Sequence, residues 1–192
     1  MRESKIERKT KETDISVKLN LDNNEVGEIS TGIGFFDHML TAFFKHSGFG
    51  GAVTCKGDIE VDTHHTAEDV GLALGAAFKE AIGDKVGIAR YGHFYCPMDE
   101  ALGFCALDIS GRPFCVYRCD YQWKNIGALE SDSVAEFFKA FASTSLITLH
   151  IECYYGENDH HKCEALFKAF AHALRIAAKK EGDELLSTKG AL

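Results

Sequence analysis

The sequence predicts an α+β protein made of two pseudo-symmetric halves, each a β-sheet with helices, the helices packed between or against the sheets. Three observations carry this expectation. The dipeptide His-His recurs with the same HHxxE spacing at His64 and at His160, 96 residues apart in a chain of 192. Ahead of each copy lies a phenylalanine-rich amphipathic stretch, GFFDHMLTAFFKH at 34 to 46 and VAEFFKAFASTSL at 134 to 146. Period-2 alternation fills much of the remaining chain, and strand runs joined to helix runs in this way point to an α+β sandwich.

Taken in order, ETDISVKLNLD places Ile15, Val17, Leu19 and Leu21 on one side of a strand. In the next segment apolar residues fall at 36, 39/40 and 43/44, a helical spacing. A second helix starts after Asp62 or Thr63, either of which is a natural N-cap, and carries His64 and His65 in its first turn. ALGFCALDISGRPFCVYRCDY is rich in β-formers and broken at Gly111-Arg112-Pro113, as a hairpin would be. Apolar residues at 134, 137/138 and 141 mark a third helix, and Asp159 is the natural cap of a fourth, with Phe167, Phe170 and Leu174 as its core face. Neither half contains a Pro/Gly/Ser linker, so the repeats, roughly 1–95 and 96–192, are expected to form one continuous domain.

Composition narrows the function. Hydrophobic residues at 45% are ample for a buried core, while a formal net charge of −8 would repel nucleic acid and anionic membranes. Seven cysteines, odd in number and without a CxxC pair, read as reduced core residues of a cytoplasmic protein. The start, MRESKIERKT, has no apolar signal-like run, and no stretch of eighteen apolar residues occurs. Neither nucleic acid nor membrane is expected as a partner.

The histidines are the chemical signal. Adjacent helical residues diverge by about 100°, so a His-His pair does not readily grip one ion, whereas residues four apart share a face. His64 with Glu68, and His160 with Glu164, are therefore candidate two-point chelators, with His65 and His161 pointing elsewhere. Because the pattern occurs twice, two metal centres are expected. Mixed imidazole and carboxylate ligands suit Mn²⁺, Fe²⁺ or Zn²⁺. His38 lies off the apolar face of its helix and is a candidate third ligand; its counterpart in the second half is Glu136, which could equally close a Ser133/Glu136 capping box. His46, His93, His150 and His172 have no spacing partner, and on spacing alone they default to structural or surface roles. Lys168, four residues beyond Glu164, shares the face of that chelating pair.

RKTKETDI, TGIGFFDHML, DTHHTAEDVG, PMDEAL, DISGRP, TLHIECYYGENDHHKCEALFKAFAHALR and STKG, in this order, resemble the imidazoleglycerol-phosphate dehydratases of histidine biosynthesis over nearly the whole chain. The resemblance implies a ribosomal protein S5 domain 2-like duplication, a homo-oligomer of 24 subunits with active sites at the interfaces, and two Mn²⁺ per active site. It implies one ion on His38, His65, His160 and Glu164, and the other on His64, Glu68, His161 and residue 136. Members of the family carry a histidine in an EHFF stretch where this chain reads Ala135-Glu136-Phe137-Phe138, so a carboxylate would replace an imidazole there.

The implied substrate is a phosphorylated imidazole, imidazole glycerol phosphate, which loses water to give imidazole acetol phosphate. The ions would stabilise an imidazolate that expels the neighbouring hydroxyl. Catalytic positions on this reading are Glu12, His64, His65, Glu68, His160, His161 and Glu164, with Glu12 as the acid/base group. Substrate-binding positions are Glu12, His46, Arg90, Arg112, Lys168, Ser187 and Lys189, the cations and the Ser187/Lys189 tail holding the phosphate. The tail is expected to become ordered when substrate binds. A dinuclear metal phosphohydrolase and a non-catalytic metal-binding oligomer are the competing readings.

Overall fold

The computed structural model describes residues 1–190. The first half runs β1 (Glu3–Lys9), β2 (Thr13–Asn20), β3 (Val26–Ser30), α1 (Gly34–Ser47), β4 (Gly50–Gly57) and α2 (His64–Ile82). The second runs β5 (Tyr91–Met98), β6 (Ala101–Asp108), β7 (Phe114–Arg118), a short ribbon of β8 (Asn125–Ile126) and β9 (Leu129–Glu130), α3 (Ser131–Ser145), β10 (Thr148–Tyr155) and α4 (Asp159–Ala178).

The two four-stranded sheets have the same topology. Their orders are β1-β2-β4-β3 and β5-β6-β10-β7, and in both the first three strands pair antiparallel while the last pair is parallel. This contradicts the expected hairpin at Gly111-Arg112-Pro113. β10 lies between β6 and β7, and β7 pairs with it in parallel, Thr148 opposite Phe114. The crossover from β7 through α3 to β10 buries the phenylalanine face of α3, a gain that a local hairpin would forgo.

Alternation on β2 buries Ile15, Val17 and Leu19, each 2% exposed or less, against the helices. α2 packs on β1 and β2 and also against α3; α4 packs on β5 and β6 and also against α1. Each sheet is thus covered by its own half's second helix, which in turn pairs with the other half's first helix. Phenylalanines fill the seam: the Phe36 and Phe137 rings are 5.5 Å apart edge to face, Phe43 and Phe170 stack at 5.6 Å, and Phe137 and Phe167 stack at 5.2 Å. Fully burying such a side chain contributes about 1.5–3 kcal/mol, so this seam is a principal source of stability. Close approach of α2 and α3 requires small residues: a Cβ on Gly71 would stand 2.6 Å from the Phe137 carbonyl oxygen, and one on Gly75 2.5 Å from that of Phe141.

Candidate metal centre

The beginnings of α2 and α4 aim the histidine pairs. For α4 the cap is Asn158, whose side chain accepts from the His160 N–H at 2.9 Å. Asp159, the expected cap, is instead the first helical residue. It is buried, pairs with Lys162 at 2.9 Å and accepts from the Gln122 and Trp123 amides at 2.8 Å each. Burial disfavours its charge, but Lys162 and these donors outweigh that and hold the carboxyl below its ordinary range. At α2 the Asp62 carboxylate accepts from the His64 N–H at 2.8 Å. Thr63 does not cap its own helix; its hydroxyl meets Ser133 at 2.9 Å and the Glu130 amide at 3.0 Å. With Ser133 so engaged, and Glu136 paired with Lys139 at 2.7 Å, the alternative reading of Glu136 as part of a Ser133/Glu136 capping box on α3 does not hold.

Three candidate ligands converge. His160 Nε2 lies 3.1 Å from Glu164 Oε2, and His38 Nε2, from the other half, lies 3.4 Å from the same oxygen. The three ligand atoms are all within 4.8 Å of one another, and among the described residues they are the one such trio of His, Cys, Asp and Glu. Glu164 is nearly buried, at 9% side-chain exposure, and its other oxygen is held by Lys168 Nζ at 2.6 Å. Burial raises its pKa, but Lys168 and the two imidazoles more than offset this and keep it ionised. Phe35 covers one side, its ring 5.0 Å from that of His160. Two imidazole nitrogens and an oriented carboxylate oxygen, clustered yet without a proton-bearing hydroxyl among them, fit a borderline first-row divalent ion.

The other candidates lie apart from this trio. His64 Nε2 is 3.8 Å from Glu68 Oε2, with both side chains half exposed. His65 turns its Nδ1 to Asp58 at 3.0 Å and its Nε2 toward Glu12 Oε1 at 3.9 Å. His161 turns its Nδ1 to Glu100 Oε2 at 2.7 Å and its Nε2 toward Asp99 at 3.7 Å. A carboxylate at Nδ1 makes that nitrogen the proton carrier and leaves Nε2 as the free donor atom, the orientation of a metal-ligating histidine. The same bonds raise the pKa of both imidazoles above the ordinary value. Glu100 also accepts from the Asn158 and Glu157 amides at 2.7 and 3.0 Å, so it braces the α4 cap and His161 together. These donors, Asn158 first, lower its pKa to about 2.

Asp58 and Glu100 were not singled out by sequence reasoning. Glu100 lies within PMDEAL, 61 residues before His161, and Asp58, although seven residues before His65, lies in the loop ahead of α2 and not on the helix, so neither is marked by a shared helical face.

The phosphate-binding candidates form two groups. Arg90, at a left-handed φ of 69°, forks onto Asp108 at 2.7 and 3.1 Å and donates to the Leu186 carbonyl at 2.5 Å. Arg112 Nη2 is 3.8 Å from the same carboxylate and its side chain is largely exposed. Arg90 thereby tethers the C-terminal tail one residue before Ser187, whose hydroxyl accepts from the Lys189 amide at 3.2 Å. Lys168 stands instead on the trio side. His46 faces His172, Nδ1 to Nε2 at 3.1 Å, and its pKa is lowered by burial and by the Lys168 charge.

Residues 31–174 match the family model described as imidazoleglycerol-phosphate dehydratase. The chain is 51% identical over 192 residues to the imidazoleglycerol-phosphate dehydratase of Clostridioides difficile strain 630, and 52% identical to that of Methanosarcina mazei, with 100% of each chain covered in both cases. The crystal structure of the Pyrococcus furiosus enzyme superposes with a TM-score of 0.85 at 37% identity, covering 97% of this chain and 100% of that one. That from Staphylococcus aureus subsp. aureus N315 gives 0.82 at 37% identity, covering 91% and 97%. The chain belongs to the imidazoleglycerol-phosphate dehydratase family.

Proposed function

We propose that this chain dehydrates imidazole glycerol phosphate to imidazole acetol phosphate in histidine biosynthesis, in the cytoplasm, with two Mn²⁺ per active site. The observation that carries the reading is the meeting of His38, His160 and Glu164, drawn from both halves, on a carboxylate that Lys168 also holds. His38, His65, His160 and Glu164 would hold one ion, and His64, Glu68, His161 and Glu136 the other. When bound, the ions supply positive charge that stabilises the substrate ring as its anion and so assists loss of the adjacent hydroxyl.

The chain's own groups do the rest. Asp58 and Glu100 fix the tautomers of His65 and His161 and keep each Nε2 free. Glu12, exposed on the β1–β2 turn beside His65, moves the proton at the glycerol carbons. Arg90, Arg112, Ser187 and Lys189 hold the phosphate, with Arg90 released in part from Asp108 or sharing its fork. Lys168 and His46 complete the substrate pocket.

His65 lies outside the trio within one chain, so each four-residue set is incomplete in a single copy. A homo-oligomer in which a second copy supplies the missing ligands resolves this, and it agrees with the 24-subunit expectation. Incubating purified protein with substrate and Mn²⁺ tests the whole proposal. The keto product should accumulate without inorganic phosphate, and chelator should abolish it; phosphate release would favour a phosphohydrolase, and no turnover a non-catalytic metal protein.

A further inference from the structure

Seven free cysteines contribute nothing to the chemistry above, and two of them meet. The parallel register of β7 and β10 ends with Glu152 opposite Arg118, and continued by one residue it sets Cys153 against Cys119. Neighbouring strands are about 4.8 Å apart, inside the roughly 4.4–6.8 Å between Cα atoms that a disulfide spans. The two side chains are near enough for each to shift the acidity of the other, and the Cys153 thiol also donates to the Tyr155 carbonyl at 3.3 Å. Both side chains are only partly buried, whereas Cys55, Cys96, Cys105 and Cys163 are enclosed.

We propose that Cys119 and Cys153 form a reversible dithiol–disulfide site, oxidised by hydrogen peroxide, that staples the ends of β7 and β10 beside the start of α4. The segment following Cys119 is already tied to that start: Lys162 Nζ donates to the Asp120 carbonyl at 3.0 Å, and Asp159 holds the Gln122 and Trp123 amides. A covalent link at Cys119 thus lies at the base of the element bearing His160 and His161.

The reactivities divide the two roles. Cys119, aided by Lys162, lowers the pKa of Cys153 against the effect of burial, so Cys153 is the more acidic of the two and the attacking sulfur. Cys119 is raised by Cys153 and by burial and stays protonated. Burial pushes Cys55 and Cys115 up to about 11, and raises Cys96, Cys105 and Cys163 as well. Sulfur of Cys153 attacks one peroxide oxygen, the O–O bond breaks, and a sulfenic acid and water result. Sulfur of Cys119 then attacks Cys153 sulfur, and the sulfenic hydroxyl leaves as water with the Cys119 proton. Two thiols lose two electrons and peroxide becomes two waters.

The test is peptide mapping of the reduced full-length chain after brief peroxide treatment, with free thiols alkylated in denaturant. Loss of two hydrogens per chain in a cross-linked peptide pair containing Cys119 and Cys153, reversed by dithiothreitol, is the expected result. C119S should give a dimedone-reactive Cys153 and no cross-link, and C153S should leave Cys119 free at the same dose. Cross-links through other cysteines, or oxidation elsewhere while both thiols remain free, would overturn the proposal.

Discussion

His160 and Glu164 stand one helical turn apart on α4, Nε2 3.1 Å from Oε2, while the second oxygen of Glu164 is 2.6 Å from Lys168. One carboxylate therefore has two tasks, one oxygen turned to the histidines and the other to a cation. Removing its charge disturbs both. Glu164→Gln should weaken Mn²⁺ binding and lower turnover by about 100-fold or more, an effect of the size seen on losing metal-site groups. Isothermal titration with Mn²⁺, alongside the dehydration assay, checks this; unchanged affinity would remove Glu164 from the ligand set.

Glu100 should act through His161. In Glu100→Gln the Nδ1 partner loses its charge, so the imidazole pKa should fall and its orientation loosen, with Mn²⁺ affinity dropping about 10- to 100-fold. Titration of the His161 ring by NMR separates this from a general loss of fold. If that pKa and the metal affinity are both unmoved, Glu100 is only a brace for the α4 cap.

Glu12 is exposed and makes no contact with the trio, so Glu12→Gln should leave metal content and assembly intact while lowering kcat about 10²- to 10⁴-fold, the range for a lost acid/base group. Near-normal turnover would mean that the proton is moved by another group.

The His46–His172 pair should make stability pH-dependent. Both are lowered, His46 by burial and then by Lys168, with Glu164 opposing, and His172 by burial and then by His46 and Arg175. The unfolded chain takes up protons near the ordinary value of 6.5 and the folded pair only below it. Stability from this pair is therefore full above 6.5 and lost as pH falls toward the folded values. His65 and His161, which are raised, act in the opposite sense and gain stability on acidification. A difference measurement isolates the pair: urea midpoints of His172→Phe should fall less than those of the unaltered chain between pH 7.5 and 5.5. An equal fall would assign the pH dependence elsewhere.

The duplication was legible because HHxxE and the phenylalanine stretches are local patterns, and the buried side of β2 was legible for the same reason. His38, His160 and Glu164 could be nominated separately by type and spacing, but only folding brings the two halves together. The partner of β7 could not be read: a parallel pair across a crossover leaves no local mark, and Gly111-Arg112-Pro113 suits a hairpin equally well. At the start of α4 both Asn158 and Asp159 have the chemistry of a cap. The choice falls to distant partners, Lys162 with the Gln122 and Trp123 amides claiming Asp159. Asp58 and Glu100 escaped notice for a related reason, since a carboxylate that orients a histidine across a turn has no fixed sequence spacing.

The most direct measurement is an anomalous diffraction map, at the manganese edge, of crystals of the active Mn²⁺-loaded protein. Two peaks per active site are predicted, one of them on His38, His160 and Glu164 with His65 of a second copy completing it. An active crystal with no peak on that trio would contradict the account.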